Sequence, residues 1–366
     1  MSAPNQPAPH VDHEPPHPPE VWTRFVLLFL LLLVLQLGAV TGMNYLVNPR
    51  GMYATTLLRP VVANVRAEKA YLLMHMQPKP QALILGSSRV MKIAPATVER
   101  LTGLRTFNAG NLTAYTEDHY VTLRYAMEQA GAKPRLLLLG LELEALHDHE
   151  PMNEFLLEVN PVSAFLQKGE NRQGHWKRLV KLLSWNESEL SLRSLRHRAA
   201  GSQEAEPALR IEPDGRLVYV QLEKDLARGT LNLETLVQQS SVMAMRRYQN
   251  YRSLSADRLD YLRATLRYAK ERNLRVIVFL TPVHHAVREA LKPYAAKDAE
   301  FAEAMRQAAE RWGAEFHDLR DVESFGGRPE GFYDGTHVDD DNADRLATWL
   351  LGATKPQASN QPHALQ

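Results

Sequence analysis

Residues 81–89 read QALILGSSR. A short, unbroken apolar run passes straight into a glycine and two serines. The run is too short for a helix and lacks the polar alternation of a half-exposed strand. It therefore reads as a strand, residues 81–86, covered on both faces, as the strands of a parallel sheet are. Gly86 permits a sharp turn where the strand ends. The serines that follow stand at the carboxyl edge of the sheet, where open α/β sheets bind their ligands.

Reading outward, the same grammar repeats. Residues 104–109 (LRTFNA) form a second short strand, and 135–141 (RLLLLGL) an almost wholly apolar one. Between them a helix is expected over 116–131, with Thr116 as N-cap and Gly131 as its stop. Further on, Ser255 caps a helix running to about Asn273, with Leu259, Leu262 and Leu266 at helical spacing. RVIVFLTP (275–282) is a buried strand ending at proline, 296–312 is a helix, EFHDL (315–319) is a last strand and 340–352 a last helix. Strands alternating with helices predict an α/β domain over 49–353. Its expected form is a three-layer α/β/α sandwich with a mainly parallel, doubly wound sheet.

The stretch 150–250 breaks that alternation and reads as an insertion beside the sheet's carboxyl edge, either a lid or substrate platform or a structural elaboration. Within it, IEPDGRLVYVQL (211–222) carries a hairpin signal, with Asp214-Gly215 at the turn. No internal repeat is present.

Ahead of the domain, residues 25–49 (FVLLFLLLLVLQLGAVTGMNYLVNP) carry no charge. Roughly 20 residues of helix cross a bilayer's hydrocarbon core, so this run is long enough. Trp22 and Tyr45 sit where interfacial aromatics belong. Residues 22–48 are therefore expected to form a transmembrane anchor. Its length, and the lack of an A-x-A site after it, argue against a cleaved leader. Arg50, Arg59, Arg66 and Lys69 follow the run, and a literal positive-inside count would put the domain in the cytoplasm. Long domains often cross regardless of charge, so the count does not decide orientation. Residues 1–21, rich in Pro and His, and 354–366 read as disordered tails.

Composition narrows the function. The formal net charge of +1 gives no electrostatic case for nucleic acid. With no cysteine in the chain, disulfides, thiolate metal sites and cysteine nucleophiles are excluded. Three segments carry residues suited to chemistry. Gly86-Ser87-Ser88-Arg89 offers a hydroxyl at a turn, and Arg89 beside it can steer an anionic or sugar substrate. Asp334-Gly335-Thr336-His337, within GFYDGTHVDDDNADRL, can supply from one loop both a base and the acid that orients it. Asn108, Gly110 and Asn111, after the second strand, can add oxyanion donors. Each segment alone also has an ordinary reading as a cap or a turn; their order along the chain, each in a fitting context, is what joins them. His284 and His285 also follow a strand end, but neither has an orienting acid close in sequence. Asp339, Asp340 and Asp341 read as charges favoured at a helix N-terminus rather than as metal ligands.

On these blocks the chain resembles the SGNH (GDSL-like) hydrolase superfamily over about residues 80–350. In that family a G-D-S block carries the nucleophile, a second block contributes a glycine, and a late D-x-x-H block completes the triad. The resemblance implies Ser88 as nucleophile, with Ser87 in place of the family's Asp, Gly110 as the second-block glycine, and Asp334 and His337 as acid and base. The third block, normally G-x-N-D, reads Gly140-Leu141-Glu142-Leu143, with Glu142 where the oxyanion asparagine would stand. The G-S-S-R block behind a membrane helix, with VNPRGMY (47–53) at that helix's end, is similar to a branch containing the alginate O-acetylation proteins and the D-alanyl transfer protein of teichoic acid synthesis. That branch implies an extracytoplasmic (periplasmic) domain, a polysaccharide or other cell-surface polymer as substrate, and a membrane-bound O-acyltransferase as partner, with no cofactor or metal. Two functions follow as expectations. One is an acyltransferase or esterase of O-acyl, chiefly O-acetyl, groups. The other, motivated by the missing asparagine, is a polymer-binding or scaffolding protein with weak catalysis.

Overall fold

A computed structural model describes residues 19–50, 53, 64–148, 151–152, 156, 162–166, 180–200 and 208–353. The two expected tails, apart from residues 19–21, lie outside the described residues, as do parts of the 150–250 insertion and two residues of the 47–53 motif.

The first element is α1 (Pro19–Val47). Its stretch Glu20–Val47 is long and apolar enough to cross a membrane. At 1.5 Å per residue such a helix is about 40 Å long, against about 30 Å of hydrocarbon. Then come α2 (Val65–His75), β1 (Ala82–Leu85), α3 (Pro95–Thr102), β2 (Thr106–Asn108), α4 (Thr116–Arg124) and β3 (Leu136–Leu141). The region between β3 and the next long strand holds α5 (Trp185–Ala200), the two-residue strands β4 (Arg210–Ile211) and β5 (Leu217–Val218), α6 (Val220–Ala227) and α7 (Leu233–Asn250). The α/β alternation then resumes with α8 (Ala256–Glu271), β6 (Arg275–Leu280), α9 (His285–Leu291), α10 (Ala295–Trp312), β7 (Glu315–Asp318) and α11 (Asp340–Ala353).

The main sheet has five strands in the order β2-β1-β3-β6-β7, all parallel. The chain steps outward from β1 to β2, returns across β1 to β3, and then proceeds to the other edge. That reversal places the β1 and β3 carboxyl ends at a topological switch point. The strands read as apolar runs because both faces are covered. Leu83, Leu85, Leu137, Leu139, Val276 and Val278 join one apolar cluster, with residues of α2, α4, α8 and α10. Ala82, Ile84, Leu136, Leu138, Ile277 and Phe279 join another, with residues of α3 and α11. Each fully buried leucine contributes about 2 kcal/mol, which is why so short a strand as β1 holds its place.

Local signals mostly fall where the sequence puts them. Ser255 accepts the Arg258 amide and starts α8. The helix expected over 116–131 forms, with its last turn widened to a π-turn over Tyr125–Gln129. Thr116 is its first residue rather than its cap: the Thr116 hydroxyl donates to the Arg258 carbonyl, while Asp118 accepts the Tyr115 amide. The hairpin is shorter than expected, because 220–227 coil into α6. Its turn is docked rather than free. The Asn108 amide donates to the Asp214 carbonyl, and a β-carbon on Gly215 would lie 2.2 Å from the Asn108 carbonyl oxygen. Only glycine permits that approach.

Candidate active site

The two distant blocks meet at the carboxyl end of β1. Ser88 opens a single 3-10 turn, Ser88–Val90, and its hydroxyl lies 2.8 Å from His337 Nε2. His337 Nδ1 lies 2.8 Å from Asp334 Oδ2. An ionised carboxylate only accepts, so Nδ1 carries the proton and Nε2 is left as the acceptor facing Ser88. The other carboxylate oxygen, Oδ1, accepts the Thr336 and His337 amides at 2.6 and 2.9 Å. Burial would raise the Asp334 carboxyl, but the hydrogen bonds from His337 and the two amides outweigh it and hold it at about 2. The acid therefore stays charged wherever the base can work. The arrangement can draw the proton from a serine hydroxyl, hold it on imidazole and return it to a leaving group.

Close backbone packing aims Ser88. Gly86 has φ +151°, and a β-carbon there would meet Val90 at 2.8 Å and the Gly140 carbonyl at 2.9 Å. A β-carbon on Gly140 would lie 2.3 Å from a Val90 methyl. Two glycines on adjacent strands thus let Val90 sink between them and draw the serine turn onto the sheet edge. On the other side, the Ser240 hydroxyl of α7 accepts the Gly335 amide at 3.1 Å, and the Gly335 carbonyl accepts the His284 amide. Tyr219 presents its ring edge-on to the His337 ring, centroids 6.0 Å apart.

A cavity of about 290 Å³ opens over the triad. Ser88, His337, Tyr115, His147, Met243 and Arg247 are among its walls. A second cavity, of about 150 Å³, lies behind Arg89 and shares Arg89, Glu142, Glu144 and Thr336 with the first. Neither a protein-family model nor a curated protein matches this chain. What the site can do must be read from its own geometry.

The expected oxyanion residues divide. Asn108 is fully buried, and its amide nitrogen donates to the Val90 and Ile93 carbonyls, each at 2.9 Å. Its oxygen accepts the Gly110 amide at 3.1 Å. Both groups are thereby committed to holding the segment after Ser88, and neither lines the triad cavity. Asn111 turns toward α2 and α4 instead, and its side-chain oxygen is buried with no partner. The Ser88 amide, by contrast, donates to no acceptor among the described residues, which leaves it available to an oxyanion.

Arg89 lines both cavities but is not a free cation. It donates to Glu144 at 2.7 Å, which also takes Arg247 at 3.2 Å. Burial opposes its charge, yet Glu144 and Glu142 together raise its pKa. Glu142, standing in the third block, is buried in the wall of the triad cavity, with one carboxyl oxygen unpartnered. Burial, with help from Glu144, pushes its carboxyl up to about 7 against the pull of Arg89.

His284 does not enter the triad cavity. Its ring accepts the Ala286 amide and caps α9, with its centroid 4.2 Å from that of His285 and the rings tilted by 36°. Asp339 accepts the Asn342 amide at the start of α11, while Asp340 pairs with Lys92 and Arg216, and Asp341 with Arg328 and Arg345. The residues the sequence did not single out are Tyr115, His147, Glu144, Ser240, Met243 and Arg247. Three of them come from α7, which lies in the 150–250 insertion.

Proposed function

We propose that this chain is a membrane-anchored, serine-dependent acyltransferase or esterase of the SGNH type, acting on O-acyl, chiefly O-acetyl, groups of a cell-surface or secreted polysaccharide. In this reading α1 spans the cytoplasmic membrane once, and the domain, a three-layer α/β/α sandwich, stands outside the cytoplasm beside a membrane-bound O-acyltransferase. The observation that carries the proposal is the Ser88–His337–Asp334 relay, two 2.8 Å contacts bridging 249 positions of sequence. Ser88 attacks the acyl carbonyl while His337 takes its proton. The alkoxide leaving group then recovers that proton from His337. A polymer hydroxyl, or water, then attacks the acyl-serine and gives its proton to His337; the Ser88 oxygen leaves and takes that proton back, and the acyl group has moved to the acceptor. The Ser88 amide supports the tetrahedral oxyanion in both halves.

The substitution Ser88→Ala tests this, with the purified full chain in detergent and an aryl acetate as donor. Turnover is expected to fall by roughly a thousandfold or more. Wild-type turnover in that variant refutes the assignment. One observation favours the second reading, a polymer-binding scaffold with weak chemistry: Asn108 and the Gly110 amide are already engaged. Polymer binding that survives Ser88→Ala, with no turnover in the wild type, selects that reading.

A further inference from the structure

Besides α1, the described surface carries a group of exposed apolar side chains on and just before α5 that the triad does not use. Trp185 is 83% exposed, and Val180, Leu183, Leu192 and Leu195 are exposed with it. Side chains at 185, 192 and 195 fall within about 80° on the wheel of α5, since each residue advances about 100°. Next to that arc, further round the wheel, Glu187, Ser191 and Ser194 turn inward, where they are buried. So the side chains that α5 fully buries are polar, while its exposed side carries Trp185, Leu192 and Leu195 next to charged residues, the mixed make-up of an interfacial helix rather than of one packed on a soluble core. Arg193 and Arg196 are exposed on the same stretch, with Glu189 the exposed acid there.

The position of this face relative to α1 says what covers it. From Glu20 to Ala39 α1 is exposed on every side; protein covers it only from Val40 onward. At that boundary Asn44 donates to the Leu182 carbonyl at 2.8 Å and to the Ser188 hydroxyl at 2.9 Å. Arg50 pairs with Glu187 just beyond. Leu183 and Trp185 thus lie, in sequence, between the two residues that Asn44 holds where protein first covers the apolar helix. A tryptophan in that stretch, with leucines along one side and arginines beside them, has the composition of a helix lying in a headgroup region.

We propose that the outward face of α5, with Val180 and Leu183 just before it, rests on the same phospholipid bilayer that α1 crosses, with Arg193 and Arg196 toward anionic headgroups. The inference rests on the anchoring part of the function proposed above, and not on the triad. It gives the domain a second membrane contact, which restricts how far it swings about the end of α1.

The chain has no cysteine, so single-cysteine spin labels are clean probes. The full chain is reconstituted in nanodiscs of phosphatidylcholine with a minor share of phosphatidylglycerol. Labels are placed by Trp185→Cys and Leu192→Cys, with Leu32→Cys on α1 and Glu303→Cys on α10 as references. Power saturation then reads accessibility to oxygen against accessibility to a water-soluble nickel chelate. The labels at 185 and 192 are expected to show an oxygen-to-nickel ratio severalfold above that at 303. If the label at 32 reads lipid while those at 185 and 192 match 303, the anchor stands and the inference fails. If the label at 32 reads water, both fail. Labels at 185 and 192 shielded from both reagents indicate a protein occupant, a second copy of the chain, and also overturn the inference. As a measurement that leaves α5 intact, brominated lipid should quench the wild type more than Trp185→Phe. Equal quenching counts against the inference.

Discussion

Glu142→Gln should make the protein's stability less sensitive to pH, and the size of the change can be worked out. The Glu142 carboxyl is raised from an ordinary 4.5 to about 7, first by burial and then by Glu144. Between those two values the folded chain holds a proton that the unfolded chain has released. Stability therefore falls as pH rises through that window. Below it both states are protonated and nothing is lost. Above it the folded state must carry a buried carboxylate, at a cost of roughly 3 kcal/mol. Glutamine has the same shape and never ionises, so the variant lacks this dependence. Relative to wild type, Glu142→Gln should gain roughly 2–3 kcal/mol between about pH 5 and pH 8. The assay is urea unfolding of the full chain in mild detergent, followed by tryptophan fluorescence at several pH values. A difference between variant and wild type that stays flat across that range would refute the placement of Glu142 as a buried carboxyl with one oxygen unpartnered.

Two further outcomes test the site's construction. Asp334→Asn removes the acceptor that fixes the His337 tautomer, so aryl acetate turnover should fall roughly 10³–10⁴-fold; a loss of only a few fold would mean that another group orients the imidazole. Gly140→Ala would place a methyl 2.3 Å from Val90 and 3.0 Å from the Phe279 ring. It should destabilise by about 1–3 kcal/mol and also lower turnover, because Val90 belongs to the same turn as Ser88; unchanged turnover would show that the Ser88 turn is not held by this packing.

Much of the fold was legible because each strand is its own record. A strand buried on both faces must be apolar, and β1, β3 and, after its exposed first residue Arg275, β6 are. Caps such as Ser255 are equally local, since hydroxyl and amide lie three residues apart. The Asp334–His337 pair could be read for the same reason: one loop holds both members. Where reading faltered, a local rule met a distant partner. Thr116 has the residue type of a cap, but its hydroxyl is claimed by the carbonyl of Arg258. Asn108 has the chemistry of an oxyanion donor, but the Val90 and Ile93 carbonyls reach it first. Arg89 has the charge to steer a substrate beside the serine, yet Glu144 holds it from 55 positions away. In α7, which brings Met243 and Arg247 to the cavity, the buried positions Val237, Ser240, Ser241, Ala244 and Tyr248 follow helical spacing, but two of them are serines, so no apolar stripe marks the helix in the sequence.

The sequence by itself determined the parallel α/β alternation, the apolar helix at the front and the three residues that could form a relay. Those follow from periodicity and from chemistry within a few residues. The tertiary structure alone decided that Ser88 and His337 stand 2.8 Å apart, that Asn108 braces the turn, and that Glu142 is buried beside it. These depend on which strand ends the sheet order brings together. Hydrogen bonding and burial act through space at a few ångströms, whatever the number of residues between the partners.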